Sequence, residues 1–148
     1  MASLGSPSKQ ELAESNLDRL ISSFTCSKQL DVFAQLWNWD GGYSRLKQIL
    51  ENPLCERATA LRIYWMGSPQ YYLQYHDRNL VRDYELEAWD FLRWIEEQYA
   101  GVGFVDGDIY YSPPSKTHEV DGRVLPEMMY ENVGKRRSMW QKMTGKNG

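Results

Sequence analysis

The amino-acid sequence predicts a mainly α-helical fold, a bundle of five to six helices with a small C-terminal β-hairpin or extended appendage. Three observations carry this expectation. Apolar residues recur at helical spacing as far as Tyr99. Capping and stop residues punctuate those runs. After Gly101 the period changes, and Asp-Gly and Pro-Pro pairs take over. The 148 residues suit one domain, and a 42% apolar fraction can fill a core without cross-links.

The elements follow in order. Residues 1–7 read as a flexible leader. Ser8 with Glu11 has capping-box spacing and opens a helix whose stripe is Leu12, Leu17, Leu20, Ile21 and Phe24. Ser27 is placed to cap a second helix, with Leu30, Phe33, Leu36 and Trp37 facing the core. Asn38-Trp39-Asp40-Gly41-Gly42 breaks it, and Asp40 is placed to cap a third helix carrying Leu46, Ile49 and Leu50. Asn52-Pro53 stops that helix. A fourth runs from Cys55 to Met66, and Ala58, Leu61, Ile63 and Trp65 make it apolar over a broad arc, which predicts a central position.

Residues 70–78 fit a short helix bearing Tyr71, Tyr72 and Tyr75. A long amphipathic helix is expected from Asn79 to Tyr99, with Leu80, Tyr84, Ala88, Phe91, Leu92, Ile95 and Tyr99 on its apolar face. Asp106-Gly107 between Phe104 and Ile109-Tyr110-Tyr111 suggests the hairpin, and Asp121-Gly122 a second turn. A short helix from Pro126 to Trp140 closes the prediction. Residues 8–134 then form a single helical domain, and residues 135–148 a basic tail.

Charge is divided unevenly. Residues 1–134 carry 12 basic and 20 acidic side chains, a net of −8, whereas residues 135–148 carry five basic side chains and no acidic one. An acidic body repels nucleic acid and attracts basic partners. The start of the chain has no secretory pattern, and no apolar run approaches a membrane span. Two cysteines, Cys26 and Cys55, make no disulfide framework, so a cytoplasmic protein with free thiols is the default expectation.

Chemistry-bearing patterns are scarce. His76 and His118 have no partners at ligand spacing, no cluster has zinc spacing, and Gly101-Val102-Gly103 lacks the rest of a phosphate loop. The expectation is no catalytic set, no metal and no cofactor. Acid on the long helix stands out instead: Asp83, Glu85, Glu87, Asp90, Glu96 and Glu97 crowd it. Asp83, Glu87 and Asp90 fall at i, i+4 and i+7, one helical face, and like charges so placed cost about 0.2–0.5 kcal/mol per pair. Retained acid at that cost suggests a docking strip for a basic protein, with Trp89 and Trp94 as anchors. The candidate partner-binding residues are Asp83, Glu85, Glu87, Trp89, Asp90 and Trp94.

Leu36-x-Asn38-Trp39-Asp40-x-Gly42-Tyr43 is followed by Ile49, Asn52-Pro53-x-Cys55, Ala58-Thr59-Ala60-Leu61 and Tyr64-Trp65. This pattern resembles a bacterial family of unknown function whose signature is Asn-Trp-Asp-x-Gly, a helix, Asn/His-Pro-x-Cys, then Thr-Ala-Leu. The resemblance covers roughly residues 30–112 and takes in Ile109, Tyr111 and Pro113. The sequence departs from it at Gly41, where an acid is common, and at Met66-Gly67-Ser68-Pro69 after the aromatic pair. The resemblance implies a small helical domain, and some members sit beside toxin systems in which small neighbours act as immunity factors. An immunity protein that occludes a cognate, basic toxin in the cytoplasm is therefore the leading expectation. Its rivals are a small ligand-binding or enzymatic domain around Asn38, Trp39, Asp40 and the Tyr71-Tyr72-Tyr75 cluster, and a nucleic-acid adaptor using the basic tail.

Overall fold

The computed structural model describes residues 5–101 and 103–134. The expected basic tail, and the expected helix beyond residue 134, lie outside the described residues. Five α-helices are present among the described residues: α1 (Lys9–Ser22), α2 (Ser27–Leu36), α3 (Ser44–Glu51), α4 (Arg57–Met66) and α5 (Leu86–Ala100). Short 3-10 turns punctuate them at Trp39–Gly41, Pro69–Gln74, Arg78–Leu80, Asp83–Glu85 and Glu127–Tyr130.

α4 is the hub. Ala58, Thr59, Ala60, Leu61, Ile63, Tyr64 and Trp65 are all buried, and the helix packs on α2, α3 and α5. A helix apolar on nearly every side has no solvent face to offer, so the others must surround it. Leu30 and Ala34 of α2, Leu46, Ile49 and Leu50 of α3, and Phe91, Leu92, Ile95 and Tyr99 of α5 complete the core. Each buried Leu, Ile or Phe among them contributes about 1.5–3 kcal/mol.

The capping box forms at the start of α1. Ser8 Oγ accepts from the Glu11 amide at 3.1 Å, and the Glu11 carboxylate accepts from the Ser8 amide at 3.3 Å. The expected stripe on α1 is only partly buried: Ile21 is in the core, while Leu12 and Leu20 remain half exposed. Polar ties do the rest, because the buried Arg45 guanidinium of α3 pairs with Glu14 and Asp18 and donates to the Glu14 carbonyl at 3.1 Å. On α2 the expected cap differs. Gln29 Oε1 accepts from the Thr25 and Cys26 amides at 2.8 and 3.3 Å, which frees the Ser27 hydroxyl to donate to Glu56. Leu36, expected in the core, is 79% exposed, because the helix ends there and the chain turns away.

Asn38 does serve the loop, its Oδ1 accepting from the Asp40 amide at 3.0 Å. Asp40 does not cap α3. The 3-10 turn over Trp39–Gly41 and the left-handed Gly42 (φ 87°) intervene, and Tyr43 stands at the cap without a side-chain bond. The expected long helix from Asn79 is also corrected: α5 begins only at Leu86. Asp77 accepts from the Asn79 amide at 2.8 Å and closes a separate turn, after which Val81 is extended and buried. Side chains of Asp that bond their own nearby backbone compete with helix in this way.

The expected C-terminal β-hairpin is absent. The described residues hold three isolated bridges and no sheet: Glu56 with Val105, Tyr111 with Val133, and Val120 with Arg123. Of the two Asp-Gly pairs, only Asp121-Gly122 makes a tight turn, both residues having positive φ (50° and 79°) as a type I′ turn requires. The expected helix from Pro126 is one 3-10 turn, Glu127–Tyr130. Residues 103–134 instead form a strap. Leu125 and Met129 enter the core, the Trp65 indole donates to the Met129 carbonyl at 2.8 Å, and the Arg123 guanidinium donates to the Leu73 carbonyl at 2.8 and 3.0 Å.

Candidate functional site

Two polar assemblies compete for attention, one inside the signature region and one on the face around the start of α5. The first is a cleft of about 440 Å³ between α2, α4 and residues 108–110, lined by Asp31, Gln35, Glu56, Arg62 and Asp108 among others. Asp31 is 1% exposed and fully engaged. Its Oδ1 accepts from Thr59 Oγ at 2.7 Å and Arg62 Nε at 3.2 Å, and its Oδ2 from Gln35 at 2.8 Å. Glu56 accepts from the Ser27 hydroxyl and from the Ile109 amide at 3.0 Å. Both buried carboxylates are thus spent on tying α2 to α4 and to the strap, which is how interiors keep such groups. Sequence reasoning missed both. For Asp31 a signal existed: it stands next to Leu30 and three positions before Ala34, on the core side of an amphipathic helix.

Cys55 lies in the same layer and is buried, while Cys26 is exposed; both are free thiols. Burial, reinforced by the charges of Asp31 and Glu56, pushes the Cys55 thiol up to about 12, which removes it as a nucleophile. The signature residues Asn38, Trp39 and Asp40 form no joint polar site. Asn38 is used by the turn, Asp40 is exposed, and the Trp39 ring packs against Tyr43 and Phe91 at 5.8 and 6.2 Å.

The expected docking residues separate into groups. Asp83 and Glu87 are exposed, but Asp83 sits in a 3-10 turn ahead of α5, so the expected three-acid row is not one helix face. Asp90 is held bidentately by Arg78, with both contacts at 2.9 Å. That guanidinium holds the Asp90 carboxyl below the usual carboxylate range. Glu85 turns inward and accepts from the phenols of Tyr71 and Tyr75 at 3.0 and 3.1 Å. Trp89 is half-buried against Tyr72 and Tyr75, and Trp94 stacks on Phe91 with Lys47 Nζ 5.0 Å from its ring. The face also presents two groups that sequence reasoning placed in the core. Leu80 is 59% exposed and Tyr84 77% exposed, because the helix that would have turned them inward does not form there.

Glu96, counted among the acids of α5, is likewise buried. It accepts from the Tyr64 phenol at 2.6 Å and from Arg93 at 3.0 Å. Burial outweighs both partners and raises its pKa above the ordinary 4.5. A raised folded-state pKa adds stability that is complete below the unfolded value and is lost as pH rises through the folded value. Glu96→Gln is therefore expected to flatten the decline of stability above about pH 4.5, as read by urea midpoints across pH. A variant that tracks the parent at every pH would remove Glu96 as the cause.

A helical core around α4, with the turn at Asn38–Gly42 and the stop at Asn52-Pro53, defines the class as a small helical domain. Residues 26–100, just over half of the chain, match the model of a domain of unknown function (DUF4274), and the protein belongs to that family. The comparisons with characterised proteins and with solved structures found no match. No helix among the described residues is long and apolar enough to cross a membrane, and no group of three or more His, Cys, Asp or Glu among them is arranged to hold a metal ion.

Proposed function

We propose that this protein is an immunity-type binding protein, which occludes a basic cognate toxin in the cytoplasm by docking through the face formed by residues 77–90. One observation carries the reading. Leu80 and Tyr84, two large apolar side chains, stand in solvent on consecutive turns, among the exposed acids Asp77, Asp83 and Glu87. Apolar anchors within a charged rim match the anatomy of a binding hot spot. The net charge of −8 over residues 1–134 supplies long-range attraction for a basic protein. The family resemblance carried by Asn38-Trp39-Asp40, Asn52-Pro53-x-Cys55 and Thr59-Ala60-Leu61 implies a setting beside toxin systems, which favours the same reading.

The two anchors and the acids divide the work. Acids at the rim set the rate of encounter, and the anchors set the lifetime of the complex. Leu80→Ala with Tyr84→Ala is expected to cost about 2 kcal/mol or more of binding, roughly thirtyfold in affinity. Stability should hardly change, since both side chains are already exposed in the free protein. The test is co-expression of the chain with the toxin candidate encoded beside it, scored by growth rescue and by titration of the purified pair. A candidate that the parent protein neither binds nor neutralises, or that the double variant binds as well as the parent, overturns the reading.

A further inference from the structure

Glu85 is the irregular member of this face. The residue is 7% exposed, and its Oε1 takes both available phenol donors, Tyr71 and Tyr75. Its Oε2 is buried and has no hydrogen-bond partner among the described residues. A buried acceptor left unmatched costs more than an ordinary hydrogen bond contributes. The neighbouring arginines are committed elsewhere: Arg82 donates to the Tyr84 phenol at 2.9 Å, and Arg78 holds Asp90.

Aromatic rings cluster beside the same carboxylate, two of them through their phenols. Tyr71 and Tyr72 meet edge to face at 5.0 Å, and Trp89 lies 6.5 Å from Tyr72 and 6.4 Å from Tyr75. Ring faces attract cations, and a carboxylate oxygen among them adds a second attraction of the same sign. Trp89 already holds a cation in this way, with the Arg93 guanidinium carbon 4.8 Å from its ring centroid.

We infer that Glu85, Tyr71, Tyr72, Tyr75 and Trp89 form a receptor for a lysine side chain of the docked partner, with Glu85 Oε2 as the counter-ion. The inference rests on the docking reading above and names the group that the face recognises. Lysine fits better than arginine for a geometric reason. A guanidinium fork pairs with both oxygens of a carboxylate, and Oε1 is already occupied by two phenols. A compact ammonium needs only the remaining oxygen. Tyr71, 47% exposed, is the wall of the receptor toward solvent.

The test uses the full chain and n-butylammonium as probe, with n-butylguanidinium beside it. The readout is the indole N–H resonance of Trp89, assigned by its loss in Trp89→Phe. A saturable shift is expected with the ammonium, at lower concentration than with the guanidinium. Glu85→Gln should weaken ammonium binding about tenfold and lower affinity for the partner in parallel. Tyr72→Leu, which keeps the carboxylate, should weaken it several-fold and covers the case in which Glu85→Gln fails to fold. Tyr71→Phe keeps the ring and should retain binding. The inference is overturned by the absence of a saturable shift, by a tighter guanidinium complex, by ammonium binding that neither Glu85→Gln nor Tyr72→Leu weakens, or by unchanged partner affinity in Glu85→Gln. None of these touches the docking reading, which stands on Leu80 and Tyr84.

Discussion

Asp31→Ala is expected to destabilise the fold by about 3–5 kcal/mol, a large share of the roughly 5–15 kcal/mol that holds a domain folded. The reason lies in what the carboxylate leaves behind. Thr59, 0% exposed, loses its acceptor at 2.7 Å, and Arg62 keeps a guanidinium whose Nε faced Asp31 at 3.2 Å. A half-buried guanidinium and a buried hydroxyl left without their acceptor each cost more than the original bonds contributed. Asp31→Asn should cost less, about 1–3 kcal/mol, since the amide oxygen still accepts and Gln35 can reverse its own amide to match. Asp31→Leu combined with Arg62→Met should recover much of the loss, because removing both charges also removes both desolvation costs. Urea midpoints at constant m-value check the series. An Asp31→Ala protein within about 0.5 kcal/mol of the parent would show that the cluster is not what joins α2 to α4.

Part of this architecture was legible because the information is local. The Ser8–Glu11 box, the break at Asn38–Gly42, the stop at Asn52-Pro53, the all-round apolarity of α4 and the Asp121-Gly122 turn each depend on residues a few positions apart. The start of α5 was misread because apolar spacing from Leu80 to Tyr99 imitates one continuous helix. The side chain of Asp77, by closing a turn on Asn79, settles the matter against it. That single competition exposes Leu80 and Tyr84 and turns Glu85 inward, so it also decides what the candidate face looks like. Asp83 and Glu87 were legible as surface acids, whereas the pairing of Asp90 with Arg78 depends on how the 3-10 turn folds back on α5.

The failed hairpin has a different cause, and it leads to a second large expected effect. Asp106-Gly107 carries a strong local turn signal, yet Gly107 serves a partner 51 positions earlier in the chain, Glu56. A methyl group at Gly107 would fall inside the Glu56 carboxylate, whose two oxygens are fixed by Ser27 and by the Ile109 amide. Glu56 is 6% exposed, so it has little room to retreat. Glu56→Ala is expected to cost about 2–4 kcal/mol and to release residues 105–111, seen as faster hydrogen exchange at the Ile109 amide. Gly107→Ala is expected to cost about 1–3 kcal/mol by overpacking alone. The discriminating measurement is the double variant. If Gly107 is glycine because Glu56 needs the space, the alanine at 107 costs almost nothing once Glu56 is already alanine, and the coupling energy equals most of the single cost. Costs that add instead would mean that residue 107 is constrained by its own backbone, as a turn residue would be, and that the carboxylate of Glu56 merely lies nearby.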